Sequence, residues 1–208
     1  SSAIERIIRQ KLHQRPILSA FLPAAYRSVR SLYPHEEDYF IIDASGDATS
    51  VGLIEHGILA DARVVPHGTR ELVAAATAAG IHASRAADDG SPGDPLALID
   101  QGRNQRFGAA LDSVRGQWQA GIIEELKSFA AAHALPRTLF LIADASATGF
   151  LKATLSGAAF NSLWLADEAP RVIALGPANV ASVRVTGEAS GDLALMLLAL
   201  ASAEPEEY

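Results

Sequence analysis

The sequence predicts an α/β fold with a mixed sheet, and three observations carry that reading. Residues 39 to 65 hold three apolar runs joined by two short turns of small residues, the pattern of a β-meander. Phe107, Leu111, Val114, Trp118, Ile122, Leu126 and Phe129 recur at spacings of three and four, which makes one long core-facing helix. After that helix come apolar runs of strand length alternating with helical stretches. A meander followed by helix, strand, helix and strand gives a layered α/β domain.

The elements follow in order. Ser2 to Gln14 reads as an amphipathic helix with Ile4, Ile7, Ile8 and Leu12 on one face, closed by Pro16. Ile17 to Leu22 reads as a short strand ended by Pro23, and Ala24 to Leu32 as a helix stopped before Pro34. His35 to Asp38 is a charged turn. Strands are predicted over Tyr39 to Ile42, Ser50 to Ile54 and Ile58 to Val65, with turns at 43–49 and at Glu55-His56-Gly57. Pro66-His67-Gly68 breaks the chain. Thr69 suits an N-cap for a helix over Glu71 to Ala79, ended by Gly80. Ile81 to Pro95 is Ala-, Asp- and Gly-rich and reads as a loop with weak helix. The long helix spans about Gln105 to His133, before Pro136. Thr138 to Ala143 is a buried strand, Asp144 to Gly149 a loop, and Phe150 to Leu155 a helix. Asn161 to Leu165, Arg171 to Leu175 and Val180 to Val185 read as short strands, Leu193 to Ser202 as an apolar helix, and Glu204 to Tyr208 as an acidic tail.

Composition excludes several classes of function. With 208 residues, 49% hydrophobic and 20% charged, the chain can bury a full core. It has no cysteine, so it has no disulfide framework, thiolate metal site or cysteine nucleophile. The net charge of −7 argues against nucleic acid as the main partner. Residues 1 to 35 hold six Lys or Arg and one acid, so that stretch is +5 and the remainder −12. The basic stretch fits either a solvated helix face or contact with an acidic partner or lipid surface. The apolar run from Leu193 to Ala203 is far short of the roughly 20 residues that span a bilayer. No signal segment opens the chain. A soluble, cytoplasmic protein is therefore expected, associated with a membrane only through partners.

The candidate chemistry lies in the strand–turn–strand from Tyr39 to Ile54. A buried strand ends at Asp43, a turn of small residues follows, and a second strand returns. Such a turn lets backbone N–H groups approach a phosphate. A carboxylate at the strand end can hold magnesium through water, and Ser45 or Thr49 can donate to a phosphate oxygen. The same residues also fit an ordinary hairpin in which Asp, Ser and Gly satisfy turn geometry. The six histidines have no metal spacing. There is no Gly-x-Ser-x-Gly elbow and no Gly-rich loop with Lys. Trp118 and Trp164 read as core.

The run Asp43-Ala-Ser-Gly-Asp-Ala-Thr49, its returning strand to Ile54, the turn to Gly57 and the segment Val64-Val-Pro66-His-Gly68 together resemble the second phosphate-binding hairpin of the actin-like ATPase superfamily, of FtsA and PilM type. Leu22-Pro-Ala-Ala-Tyr26 and onward resembles the connection into that hairpin. Phe140-Leu-Ile-Ala-Asp144-Ala-Ser-Ala-Thr-Gly149 resembles the family's adenosine motif. The resemblance covers roughly residues 17 to 200. It implies an actin-like, RNase H-like lobe over 39–208, preceded by connecting elements over 1–38.

The chain departs from the family pattern in ways that bear on binding. The family's glycine run becomes Ala44, Ser45 and Gly46, and a Cβ at 44 or 45 is expected to narrow the room for phosphate. Asp47 is expected to put negative charge where phosphates would lie. The paired glycines of the adenosine motif fall at about Ala143 and Asp144. The family's first phosphate hairpin is not in this chain, so no ATP hydrolysis by the chain alone is expected.

Two functions follow from the resemblance. One is a non-catalytic scaffold or adaptor of a bacterial cell-division, type IV pilus or secretion type assembly, with protein partners or self-association. The other is an active magnesium-dependent ATPase. In it ATP is held by Asp43, Ser45, Gly46, Asp47, Thr49, Asp144, Ser146 and Gly149, with magnesium on Asp43.

Overall fold

The computed structural model describes residues 21–78, 105–164, 169–180, 182–183 and 192–203. The helix expected over Ser2 to Gln14, the loop over Ile81 to Pro95 and the acidic tail lie outside these residues.

Five strands form one mixed sheet in the order β3-β2-β1-β4-β5. They are β1 (Tyr39–Asp43), β2 (Thr49–Glu55), β3 (Ile58–Val65), β4 (Thr138–Ile142) and β5 (Arg171–Ala174). The meander is antiparallel, with Asp43 opposite Ser50 and Thr49 opposite Val65. On the other side of β1 the pairing turns parallel, with Asp43 opposite Ile142 and Leu141 opposite Ala174. The parallel strands β1, β4 and β5 therefore all end at one edge of the sheet. In open α/β sheets that edge is where ligands bind.

The sequence period of β1 explains the layering. Phe40 and Ile42 face one core with Val51, Leu53, Leu139 and Leu141. Tyr39 and Ile41 face a second core with Ile54, Phe140 and Ile142. All five residues of β1 are buried, as a strand covered on both faces requires. Helices α2 (Thr69–Ala78), α3 (Gln105–Ala130) and α4 (Ala145–Leu155) cover the first face. Helices α1 (Phe21–Leu32) and α5 (Leu193–Ala203) cover the second. Within the described part of the stripe, Trp118, Ile122, Leu126 and Phe129 are buried and Val114 packs beside them. The side chains of Phe107 and Leu111 lie outside the described residues. Trp118 is core, and its indole donates to the Thr49 hydroxyl at 2.8 Å.

Five elements differ from the sequence expectation. Phe21 and Leu22 open helix α1 instead of ending a strand. Pro23 falls in the first helical turn, where its missing N–H costs nothing, and Leu22, Ala25 and Val29 form one buried face. The loop expected over Asp144 to Gly149 is helical from Ala145 onward, with Asp144 at the N-cap position. The carbonyl of Asp144 accepts from the N–H groups of Ala147 and Thr148 and from the Thr148 hydroxyl, which starts the helix. Asn161 to Leu163 belongs to a 3-10 helix, Ala158–Leu163, that seats Phe160 in the core. Val180 closes a second 3-10 turn, Pro177–Val180. The long helix also stops at Ala130, three residues short of His133.

Candidate functional site

The ends of β1, β4 and β5 open onto a cleft of about 540 Å3. Ser45, Ile142 to Ala145, Thr148, Ala174 to Pro177, Asn179 and Asp192 to Ala194 line it. The turn after β1 and the segment after β4 thus share one cavity, as the sequence reading requires. Helices α4 and α5 both begin at its wall. Asp144 stands at the start of α4, and Asp192 caps α5 by accepting the Leu195 N–H at 3.1 Å. Helix N-termini favour anions. Against that, two carboxylates line the cleft, and no Lys or Arg does among the described residues.

Asp43 closes β1 and is 7% exposed. Its Oδ1 accepts from both the N–H and the hydroxyl of Ser45. Burial pushes the Asp43 carboxyl above the usual carboxylate range; the two Ser45 donors pull it back, and the Asp144 charge adds to the rise. The next N–H groups are also engaged. Ala44 donates to the Ile142 carbonyl at 2.9 Å. Gly46, at φ +93°, donates to the Thr69 hydroxyl at 3.2 Å. The same hydroxyl donates to Asp144 Oδ2 at 3.2 Å. Thr69 therefore does not cap α2 with its side chain. It joins the two turns.

The other expected site residues separate into cleft and scaffold. Ala44 is fully buried in the first core, so its Cβ takes no room from the cleft, contrary to expectation. Ser45 is the one residue of the 43–49 turn that lines the cleft among those described. Asp47 does not line it. Its carboxylate pairs with Arg70 at 2.8 Å, with both side chains largely exposed. Thr49 is fully buried, donating to the His67 carbonyl at 2.7 Å and accepting from Trp118. Gly149 lies on the exposed face of α4, where a Cβ would meet nothing within 4 Å. Ser146 falls in the first turn of α4, and its side chain lies outside the described residues.

Sequence reading missed Gly68 as a site residue. A Cβ there would stand 2.3 Å from the Gly46 carbonyl oxygen and 2.8 Å from the Ala48 nitrogen. The 66–70 segment rests directly on the 44–48 turn, with Arg70 N–H on the Gly46 carbonyl at 3.0 Å. The Gly-Thr pair just before a helix was the available signal. The β5 side of the cleft, Ala174 to Asn179, was also missed. Gly176-Pro177 marks a turn at a strand end, and Asn179 closes it by accepting the Gly176 N–H at 2.8 Å.

Among the described residues no three His, Asp or Glu gather as a metal centre would require. Asp43 Oδ1 accepts twice within the protein, which leaves Oδ2 as the atom of this carboxylate that would face a cation.

No protein-family model and no curated protein matches the sequence. Solved structures do match its fold. The chain is similar to the PilM-PilN type IV pilus biogenesis complex, at TM-score 0.56 and 16% identity over 91% of this chain and 53% of that one. It is similar to Lmo2764, a putative N-acetylmannosamine kinase from Listeria monocytogenes, at TM-score 0.52 and 10% identity over 96% of this chain and 69% of that one. It is also similar to the activator of the 2-hydroxyisocaproyl-CoA dehydratase from Clostridium difficile with bound ADPNP, at TM-score 0.50 and 9% identity, covering 89% and 66%.

The chain has the actin-like ATPase fold.

The actin-like lobe spans about half the length of the PilM chain it matches. Its mixed sheet, with helices on both faces, is the arrangement these neighbours share. No helix among its described residues is long and apolar enough to cross a membrane.

Proposed function

We propose that this lobe belongs to an actin-like scaffold or adaptor of a bacterial cell-division, type IV pilus or secretion type assembly, and that its cleft does not hold ATP. One observation carries the reading. The N–H groups of residues 44, 45 and 46 all donate inside the protein, to Ile142, Asp43 and Thr69. A phosphate cradle works by presenting such groups outward. The carboxylates of Asp144 and Asp192 at the wall add to the cost of bringing in a polyphosphate. The solved PilM-PilN complex pairs that relative with a protein, which supports protein docking, or self-association, as the work of this lobe.

The test is calorimetric titration of ATP with magnesium into the full-length protein. The expected result is no saturable binding in the micromolar range. Micromolar, magnesium-dependent binding that disappears in Asp43→Ala would overturn the scaffold reading.

The second reading, an active magnesium-dependent ATPase, is favoured by the shared cleft itself and by the two helix N-termini at its wall. In that reading Asp43 holds magnesium through water, Ser45 reaches a phosphate, and the second lobe comes from elsewhere in the full-length protein. The same titration separates the two.

A further inference from the structure

Among the described residues the sheet has two edge strands, and they differ in kind. At one end β5 has only four residues. At the other end β3 has eight, and its apolar side chains Ile58 and Val64 are 66% and 63% exposed. A short edge offers little backbone to pair with, whereas a long apolar edge is a template for another strand.

Two features of β3 interrupt that template, and they are adjacent in the chain. The register with β2 slips between Leu53 and Ile54. Asp61 is opposite Leu53 but Leu59 is opposite Ile54, so Ala60 has no partner. A bulge of this kind bends the strand and breaks the ladder locally. Beside it, Asp61 Oδ1 accepts the Ala62 N–H at 2.7 Å, and Asp61 Oδ2 pairs with Arg63 Nη2 at 2.9 Å. Arg63 is itself held, with its guanidinium carbon 5.6 Å from the ring centre of Phe129, a fully buried side chain of α3. Asp61 and Arg63 lie opposite Leu53 and Val51, so the pair runs along the margin of the first core beside α3. The Arg63 and Asp61 side chains are 43% and 30% exposed, and an ion pair so placed adds little to stability. What it does is fix the direction of the carboxylate.

We propose that Asp61 closes the long edge of the sheet. Its carboxylate stands at the Ala62 N–H in place of the carbonyl of a further strand, and without it β3 pairs with β3 of a second copy. An incoming strand brings a carbonyl oxygen to the same N–H. There it meets an anionic oxygen already bonded, so the approach is repulsive and breaks a charge-assisted hydrogen bond. Self-association of the native chain then uses a surface other than β3, whether or not the cleft holds nucleotide.

The experiment is sedimentation velocity on the full 1–208 chain over a concentration series. It compares the parent with Asp61→Ala, Val64→Lys and the combination of the two. Val64 is exposed, so a lysine there leaves the core intact, and an edge lysine opposes strand pairing. The expected result is self-association of Asp61→Ala at least about ten-fold tighter than that of the parent, returned to the parent's level when Val64→Lys is added. Asp61→Ala that associates no more than the parent overturns the proposal. Extra association that survives Val64→Lys overturns it, since another surface is then responsible. A parent whose own association is abolished by Val64→Lys alone also overturns it, because the edge was then open from the start. One measurement needs no variant: in the dilute parent the Ala62 amide should exchange its hydrogen at least about ten-fold more slowly than an unstructured amide. Exchange at the unstructured rate means that Asp61 does not hold this N–H, and the proposal fails.

Discussion

The hydroxyl of Thr69 donates to the Asp144 carboxylate at 3.2 Å while accepting the N–H of Gly46 at 3.2 Å. One buried oxygen, on a residue 2% exposed, thereby fixes the turn after β1 against the start of α4. This bridge takes up the Gly46 N–H and one oxygen of the Asp144 carboxylate inside the protein.

Removing the bridge tests its weight. Thr69→Val keeps the shape and leaves the Gly46 N–H without its acceptor, so a loss of about 1–3 kcal/mol is expected. Thr69→Ser retains the oxygen and should lose less. Urea unfolding followed by circular dichroism measures both. A Thr69→Val variant as stable as the parent would show that the bridge carries no net energy.

Gly46 and Gly68 face each other for different reasons, and the same substitution separates them. At Gly46 a Cβ meets nothing within 4 Å, and only the φ of +93° is unfavourable, so Gly46→Ala should cost about 1–2 kcal/mol. At Gly68 the Cβ meets backbone that has no room to give, and Gly68→Ala should cost at least as much as the upper end of ordinary overpacking, about 3 kcal/mol. Thermal unfolding should rank Gly68→Ala well below Gly46→Ala.

Asp43 gives a pH test with a definite sign. Its carboxyl is raised in the folded state, first by burial. Folding therefore favours the protonated form, and the ionised form is a burden that grows as pH rises through the folded value. Asp43→Asn keeps an Oδ1 for the Ser45 donors and removes the charge. The variant should melt higher than the parent at pH 7, and the gap should close near pH 3. Equal melting temperatures at pH 7 would count against burial as the dominant cause.

The β2–β3 turn contains a conformational cost that is easily relieved. His56 has φ 52° and Gly57 φ 71°, the pair of positive values of a two-residue hairpin turn. The His56 side chain is 88% exposed and reaches Asp38 only at 3.9 Å, so the ion pair adds little. Asn is the residue that tolerates this region best after Gly. His56→Asn should stabilise by some tenths of a kcal/mol up to about 1 kcal/mol, seen as a higher urea midpoint with unchanged slope.

The amino-acid sequence by itself determined the meander, the buried strand Thr138 to Ile142 and the core stripe of the long helix, because these rest on local period and turn chemistry that a single segment carries. It also placed the turns after Asp43 and Ala143 at strand ends, which the parallel pairing of β1 with β4 brings to one edge. What each turn does with its polar groups was decided only in three dimensions. Ala44 points into the core and Ser45 into the cleft because the Ala44 N–H pairs with the Ile142 carbonyl, a partner supplied by a strand far along the chain. Asp47 faces Arg70, and Thr69 spans two turns, for the same reason. Alternation along a strand says which residues share a face. Only the packed neighbours say whether that face is core, cleft or solvent.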